Sequence, residues 1–282
     1  MRFLSRAAFL CALHLLITPL HAADKASATP NLCQTDPDGK FAGDGSQFCA
    51  PVSVSNSFIW LSQNGYPALD PSGRGDKSAQ LEMVRTLSSE DYLNTSTGNG
   101  TNPKKVLNGV TTYLTEFGLH AASLKYEGWR EVPQEFLAGE YPDLSQIKNA
   151  IAKPGGIVWL NIGWYHLEGS QYIRHGGHWV TLVGMEADNA LLIHNPAPKA
   201  SREGDTVYAK RIEDGTLASG KETVTGLPRV AKGYYQITGA LPMGTTTIAI
   251  LDGAIILQMP PTSAPASKAS ASAHLRLSGS AQ

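Results

Sequence analysis

The sequence has few cysteines, little net charge and no repeated unit. Three cysteines in 282 residues are too few for a disulfide-rich scaffold. Charged residues make up 17% of the chain, the formal net charge is -1, and no basic patch is present, which excludes the electrostatic signature of a nucleic-acid partner. Hydrophobic residues make up 42%, so we expect the middle of the chain to fold around a packed core.

The N-terminus has the pattern of a cleaved secretory signal. Arg2 and Arg6 precede an apolar run over residues 7–20, and the small residue Ala22 ends the segment. No later apolar run reaches the roughly 18 residues that a spanning helix requires. We therefore expect residues 1–22 to be removed, and the mature protein to be secreted or periplasmic without stable membrane insertion. An uncleaved anchor and a buried helix are the alternatives.

The rest of the chain divides into three parts by composition. Residues 23–45 are polar and rich in Gly, Pro and Asp, which predicts an irregular lead-in. Residues 46–260 predict the folded domain, and residues 261–282, rich in Ser, Ala and Pro, predict a disordered tail. Within the domain, helical patterns come first and strand patterns later, which indicates an α+β fold and not a repeated βαβ unit.

Periodicity and end signals predict the individual elements. Four helices are predicted, over 50–63, over 77–88, from the cap Thr101 to Gly118, and over 144–153. The predicted strands are GIVWLNIGWYHL, HWVTLVGM, ALLIHNP, TVYAKRIE, GYYQITGAL, and the two halves of TTTIAILDGAIILQMP. Turns are predicted at Asp188-Asn189 and at Asp252-Gly253, and the second is the strongest hairpin signal in the chain.

Cys49 begins a predicted helix in the segment SQFCAPVSVSNSFIWL. Unpaired N–H groups and the positive end of the dipole at a helix start lower the pKa of a cysteine, which favours a nucleophilic thiolate. A disulfide is the competing interpretation. Cys11 leaves with the signal, so Cys33 and Cys49 are the two cysteines of an exported chain. A small buried side chain is the third alternative.

A nucleophilic thiol needs a histidine base and a residue that orients it. His178 begins a predicted strand after two glycines, and the returning strand ends at Asn195. This hairpin predicts that the two side chains lie side by side, where the asparagine carbonyl can accept a hydrogen bond from the imidazole. A structural histidine and an ordinary Asn-Pro turn are the alternatives. Asp188 would replace Asn195 only in an inverted hairpin.

A metal site is the other chemistry that the histidines raise. His166, His175, His178 and His194 lie close in sequence. However, no HExxH motif is present and no carboxylate is spaced to complete a site, so neither a metal nor another cofactor is predicted. The tryptophans are predicted to lie in the core or to line a cleft, with Trp164-Tyr165 as candidates for a substrate groove.

The segments CAPVSVSNSFIWL, GGHWVTLVGM and LLIHNP together resemble a papain-like cysteine peptidase. The closest group is the bacteriocin double-glycine-leader peptidase-like family, as an exported stand-alone domain, and the resemblance covers roughly residues 47–196. It implies a papain-like α+β fold, with the nucleophile at a helix start in an N-terminal helical half and an antiparallel sheet in the C-terminal half. It also implies that Cys49 is the nucleophile, His178 the base and Asn195 the orienting residue, acting on a peptide or protein.

One position departs from this family. The oxyanion glutamine is expected six residues before the cysteine, where this chain has Gly43. The only nearby glutamine, Gln47, is the candidate oxyanion donor, if the loop before the cysteine is rearranged. The predicted function is an exported cysteine hydrolase, a peptidase or amidase, that forms a thioester acyl-enzyme. Two alternatives stay open. One is transglutaminase-type acyl transfer, and the other is a non-catalytic binding module on a degenerate peptidase fold with a Cys33–Cys49 disulfide.

Overall fold

The structure is a computed structural model that describes residues 22–187, 189–218, 229–241 and 246–262, except for the side chains of residues 22–24. The predicted signal segment up to residue 21, the turn residue Asp188 and all but the first two residues of the predicted tail therefore lie outside the described residues.

Helices lie mainly in the first half of the described chain. The α-helices are α1 (Ala22–Ala28), α2 (Cys49–Gln63), α3 (Lys77–Ser88), α4 (Pro103–Glu116) and α5 (Leu144–Ile151), with 3-10 turns at Pro37–Gly39, Ala42–Gly45 and Pro67–Leu69. The bounds predicted for α3 are confirmed. The cap of α4 is Asn102 and not Thr101, because the Asn102 side chain accepts from Lys105 N. No helix of the described residues has the length and apolar character needed to span a bilayer.

The strands of the described chain form one sheet. They are β1 (Ser123–Gly128), β2 (Leu137–Gly139), β3 (Gly156–Glu168), β4 (Gln171–Met185), β5 (Ala190–His194), β6 (Asp205–Arg211), β7 (Thr216–Ala218), β8 (Arg229–Val230), β9 (Tyr235–Gly239) and β10 (Ile248–Gln258).

Part of this sheet closes on itself as an antiparallel barrel. The pairing runs β3–β4–β5–β6–β9–β10, and β10 pairs back with β3. β1 and β2 extend the sheet from β10, and β7 and β8 extend it from β4. The predicted papain-like α+β fold with a helical half is therefore wrong, since the protein is a closed barrel with extra strands and only 28% helix. Closure pairs β10 with β3, two long strands that are far apart in sequence. Local periodicity predicts where a strand lies but not which strand it pairs with.

The predicted hairpin at Asp252-Gly253 is also wrong. β10 runs through these residues, with only a bulge in its pairing to β3. Asp252 is fully buried, and its carboxylate accepts hydrogen bonds from Trp129 Nε1 (3.0 Å), from Arg174 Nε (2.7 Å) and from the Tyr165 hydroxyl. An Asp-Gly pair favours a turn when it is exposed to water, whereas these buried partners hold Asp252 inside the sheet.

Two apolar cores lie on opposite sides of the barrel wall. The inner core takes side chains from all six barrel strands, and the outer core packs the wall against α2, α3 and α4. Alternate residues of β3 belong to the two cores, as the pleat of a strand requires: Val158 and Leu160 point inward, Ile157 and Trp159 outward. The N-terminal half of α2 therefore lies on the outer face of the wall, against β3 and β4.

The lead-in predicted to be irregular contains α1 and two 3-10 turns and packs against the domain. Lys25 is buried, and its Nζ donates a hydrogen bond to Gly156 O. The same Nζ lies 4.5 Å from the centre of the Trp60 ring. Burial lowers the pKa of Lys25 to about 7. Leu32 and Phe41 join a small core with side chains of α2 and α3.

Candidate active site

Helix α2 is buried on all sides from Cys49 to Leu61, and polar side chains fix its position along β4. Ser53 Oγ donates to Trp179 O at 3.1 Å, and Thr181 Oγ1 donates to Ser53 O at 2.9 Å. These bonds set the register between the first turns of the helix and the strand that carries His178. The start of α2 and His178 are thereby held at the same end of the outer core.

Cys49 is the first residue of α2 and lines a cavity of about 470 Å³ together with His178. The residue is 9% exposed. Burial raises the pKa of the Cys49 thiol to about 11, and hydrogen bonds from the backbone N–H groups of Trp179, Ala50 and Cys49 itself oppose this rise. The thiol is therefore uncharged at neutral pH, in contrast to the thiolate that the helix start predicted, because desolvation outweighs the N–H groups.

His178 and Asn195 meet as the hairpin pattern predicted. His178 Nε2 lies 2.7 Å from Asn195 Oδ1, and Oδ1 also accepts from the backbone N–H of Ala197 at 3.0 Å. A backbone N–H can only donate, so this second bond identifies the amide oxygen. Nε2 must then carry the proton, which leaves Nδ1 of the ring as a proton acceptor. The Trp164 ring stacks on the imidazole with centres 5.9 Å apart and fixes its plane.

The surroundings of this pair keep it uncharged. Burial lowers the pKa of His178 below its usual range, and the hydrogen bond to Asn195 opposes the shift. Asn195 is fully buried, and its Nδ2 has no hydrogen-bond partner among the described residues. A buried unpaired donor costs about 1–3 kcal/mol, and such groups call for an explanation beyond packing.

Gln47 lines the same cavity and Gly43 does not. Gly43 is exposed, has a φ of +57°, and faces Thr97. Gln47 is half-buried at the cavity wall, where its Oε1 lies close to Gly100. Its side chain makes no hydrogen bond within the described parts of the chain, so the amide is able to turn towards a ligand. Gln47 therefore lies at the wall of the cavity that Cys49 lines, although it stands two residues before the cysteine and not the expected six.

The disulfide alternative does not occur in this structure. Cys33 and Cys49 are both free thiols. Cys33 is half-buried with its Sγ 3.3 Å from Thr35 Oγ1, and it is not part of the cavity lining described for Cys49.

The four histidines of the possible metal site have different surroundings. His166 Nε2 pairs with Glu168 Oε1 at 2.8 Å, and its ring centre lies 5.9 Å from that of His175. His194 Nδ1 donates to Pro30 O at 3.0 Å. Across the described ranges, no three His, Cys, Asp or Glu side chains lie together as a metal site requires.

Sequence reasoning missed several polar residues of the cavity, among them Asn161, Arg130 and Arg174. Arg174 stands directly before His175-Gly-Gly-His178, but nothing in the sequence shows that its side chain extends along the strand to Gly177. Asn161 stands within an apolar strand pattern and Arg130 within a loop. Of the groove candidates, Trp164 lines the cavity, whereas Tyr165 is buried and donates to Asp252.

No protein family matches this chain, and no curated protein matches it. The resemblance to the double-glycine-leader peptidase-like family stays a prediction.

Proposed function

We propose that this protein is a cysteine hydrolase, a peptidase or amidase. The observation that supports this most directly is the meeting of three segments at one place. Cys49 from the start of α2 and His178 from β4 line one cavity, and Asn195 after β5 holds His178 Nε2 at 2.7 Å. A nucleophile, a base and a residue that orients the base are the parts that nucleophilic catalysis requires.

The first half of the reaction begins from the uncharged pair. Cys49 Sγ attacks the substrate carbonyl while His178 Nδ1 takes the thiol proton, so the nucleophile becomes anionic only as the new bond forms. His178 then returns this proton to the leaving amine, and a thioester to Cys49 remains. The Nε2–H bond to Asn195 persists throughout, because the carbonyl oxygen of Asn195 stabilises the imidazolium.

The second half releases the acyl group. Water enters, His178 removes one of its protons, and the resulting hydroxyl attacks the thioester carbon. The acid leaves, and the proton on His178 returns to Cys49. In each half the carbonyl oxygen gains negative charge, and the donors proposed for it are the backbone N–H of Cys49 and the side-chain amide of Gln47.

Peptide cleavage by matched cysteine variants tests this proposal. The mature chain, the Cys49→Ala variant and the Cys33→Ala variant are incubated with a mixed peptide library, and the products are identified by mass spectrometry. We expect cleavage by the mature chain and by Cys33→Ala, and a loss of more than about a thousandfold for Cys49→Ala. Cleavage that survives in Cys49→Ala would exclude Cys49 as the nucleophile.

The same reactions separate hydrolysis from acyl transfer. They are repeated with a primary amine in excess, and we expect free carboxylic acids as the main products. Products that carry the added amine would assign the protein to transglutaminase-type acyl transfer instead, since water and an amine compete for the same thioester.

We also propose that the protein acts outside the cytoplasm, because of the signal pattern in residues 1–22. The N-terminus of the protein purified from a producing cell tests this. We expect it to begin at Ala23, and a chain that keeps Arg2 and Arg6 would contradict the proposal.

A further inference from the structure

Residues 30–34 lie between the two parts of the chain that carry the proposed triad. On one side they are hydrogen-bonded to residues 194–202, which include Asn195, and on the other side to the loop that leads into Cys49. The proposed chemistry uses no residue of this segment. Its hydrogen bonds nevertheless reach both sides of the site, which calls for a role in holding them.

Gln34 joins these two sides directly. Its backbone N–H donates to Pro196 O at 2.8 Å, and Pro196 directly follows Asn195. Its side-chain Nε2 donates to Ser46 O at 2.7 Å, and Ser46 lines the cavity three residues before Cys49. A carbonyl oxygen can only accept, so this bond identifies the amide nitrogen. One residue therefore connects the turn of Asn195 with the loop of Cys49.

The backbone of Gln34 also lies directly against Gly45. Gly45 has a φ of +72°, and a Cβ there would lie 1.8 Å from Gln34 O, so only glycine allows this approach. The chain runs from Gly45 straight into α2, because the N–H of Phe48 donates to Gly45 O at 2.9 Å. A displacement of Gln34 would therefore reach the start of α2, where Cys49 lies.

The amide of Gln34 is not explained by packing. Gln34 is 6% exposed, and its Oε1 has no hydrogen-bond partner in the described part of the chain. An apolar side chain of similar size would fill the same space without a buried acceptor that lacks a partner. What the amide supplies is the bond to Ser46 O.

Arg202 holds the turn of Asn195 from its other end. Its Nη2 donates to Asn195 O at 2.9 Å and to Ala197 O at 2.7 Å, and its Nη1 donates to Asn31 O at 3.3 Å. The N–H of Ala197 is the second donor to Asn195 Oδ1. The guanidinium thus fixes the backbone on both sides of the side chain that holds His178, and ties it to residues 30–34.

We propose that Gln34 and Arg202 are positioning residues of the proposed active site. They hold residues 30–34 as a bridge that sets where Asn195, and through it His178, stands relative to Cys49. The inference rests on the proposed function, because the placement of these groups matters for a reaction between them. Neither residue belongs to the cavity lining described for Cys49, so both act through the backbone that they hold.

Proton exchange at His178 tests the bridge without requiring turnover. The Nε2 proton of His178 is observed by NMR in protein with isotope-labelled histidine, and it is assigned by its loss in His178→Gln. In the unmodified chain the hydrogen bond to Asn195 slows the exchange of this proton with water. We expect exchange at least about tenfold faster in Gln34→Met and in Arg202→Met, because Asn195 is no longer held in line with the ring.

Matched variants separate positioning from a general loss of packing. Gln63→Met and Arg85→Met are the controls, since each of these side chains donates to a backbone carbonyl at 2.9 Å outside the described cavity lining. Both should leave the exchange at His178 unchanged. Arg202→Lys keeps a cationic donor and should restore part of the protection. Arg202 is exposed, so its variants are expected to fold.

Cleavage by the same variants is measured separately. We expect Gln34→Met and Arg202→Met to lower kcat about tenfold, with KM within about threefold of the unmodified chain, because the substrate still binds but the base is misaligned. Exchange that is unchanged in both variants, or that is accelerated equally in the controls, overturns the inference.

The outcomes separate this inference from the proposed function. An unmodified chain that cleaves no peptide, together with faster exchange in Gln34→Met and Arg202→Met, supports the bridge and counts against the hydrolase. Cleavage by the unmodified chain, together with unchanged exchange in both variants, does the reverse.

Discussion

Two buried polar pairs anchor β4, and they differ in charge. His178 and Asn195 form an uncharged pair in which His178 lines the cavity of Cys49. Arg174, four residues before His178 in β4, forms a charged pair with Asp252. Both tie β4 to another segment through a short hydrogen bond. The first pair leaves a ring nitrogen of His178 able to exchange a proton, whereas in the second pair the Asp252 carboxylate neutralises the Arg174 guanidinium.

The difference indicates that the uncharged pair serves the reaction, whereas the charged pair serves the stability of the fold. Removing a member of the uncharged pair should affect the rate of reaction more than the stability of the fold, because the imidazole stays neutral without Asn195. Removing Asp252 should mainly affect stability, since a guanidinium would be left buried without a counter-charge.

Asp252→Asn should destabilise the fold by about 3–5 kcal/mol, the usual cost of removing one partner of a buried ion pair. Urea unfolding measures the free energy of unfolding. The matched control is Glu82→Gln, which removes one partner of Arg74, from an exposed ion pair of 2.8 Å, and should cost less than about 1 kcal/mol. Equal losses in the two variants would contradict the assignment of a structural role to Asp252.

Asn195→Ala should lower kcat/KM about 10- to 100-fold, because the imidazole loses the group that fixes its tautomer and orientation. Steady-state kinetics on a cleaved peptide measures this, and urea unfolding of the same variant should show a much smaller loss of stability than Asp252→Asn. A variant that unfolds easily but keeps its activity once folded would reverse the proposed contrast.

Asn195→Asp should move the acid limb of the pH profile upward by about one unit. Burial lowers the pKa of His178 from 6.5, and the base is active when deprotonated, so in the unmodified protein the limb lies below that value. A carboxylate beside the ring favours the imidazolium and raises the pKa of His178. Asn64→Asp, at the other end of α2, is the control that should leave the limb in place. An unmoved limb in Asn195→Asp would argue against His178 as the base.

Gly177→Ala should destabilise the fold by about 1 kcal/mol, because the new Cβ would clash with Nη2 of Arg174 and displace its guanidinium. Gly176→Ala is the neighbouring control, whose Cβ would lie 3.2 Å from Trp164 Cδ1, a contact that a small shift relieves. Thermal unfolding of both variants measures the difference. A larger loss for Gly176→Ala would show that Trp164, and not Arg174, requires the glycines.

The uncharged pair was predictable from sequence and the charged pair was not, for a physical reason. His178 lies on one strand of a hairpin and Asn195 directly follows the other, so the alternation of apolar residues and a single turn suffice to bring them together. Asp252 is 78 positions from Arg174, and its partners come from three separate segments. Beside Gly253 it has the local pattern of a turn, and only tertiary burial keeps it in a strand.

The same distinction applies to the fold. The end signals of α2, α3 and α4 are local, and these helices lie within a few residues of their predicted bounds. The predicted fold was wrong because the closure of the barrel depends on the pairing of β3 with β10, two strands some ninety residues apart. The position of Gln47 in the cavity depends likewise on the loop before α2, whose left-handed residues Gly43 and Asp44 have no periodic signal.

Trapping of the acyl-enzyme tests the central claim most directly. The protein is mixed with p-nitrophenyl acetate, quenched within seconds, and analysed by intact mass and peptide mapping. We expect one acetyl group per chain, on Cys49 and not on Cys33, and acylation at least about a hundredfold slower in His178→Ala. Acylation of Cys33 at the same rate as Cys49, or a Cys49 rate that His178→Ala leaves unchanged, would contradict a nucleophile that depends on His178.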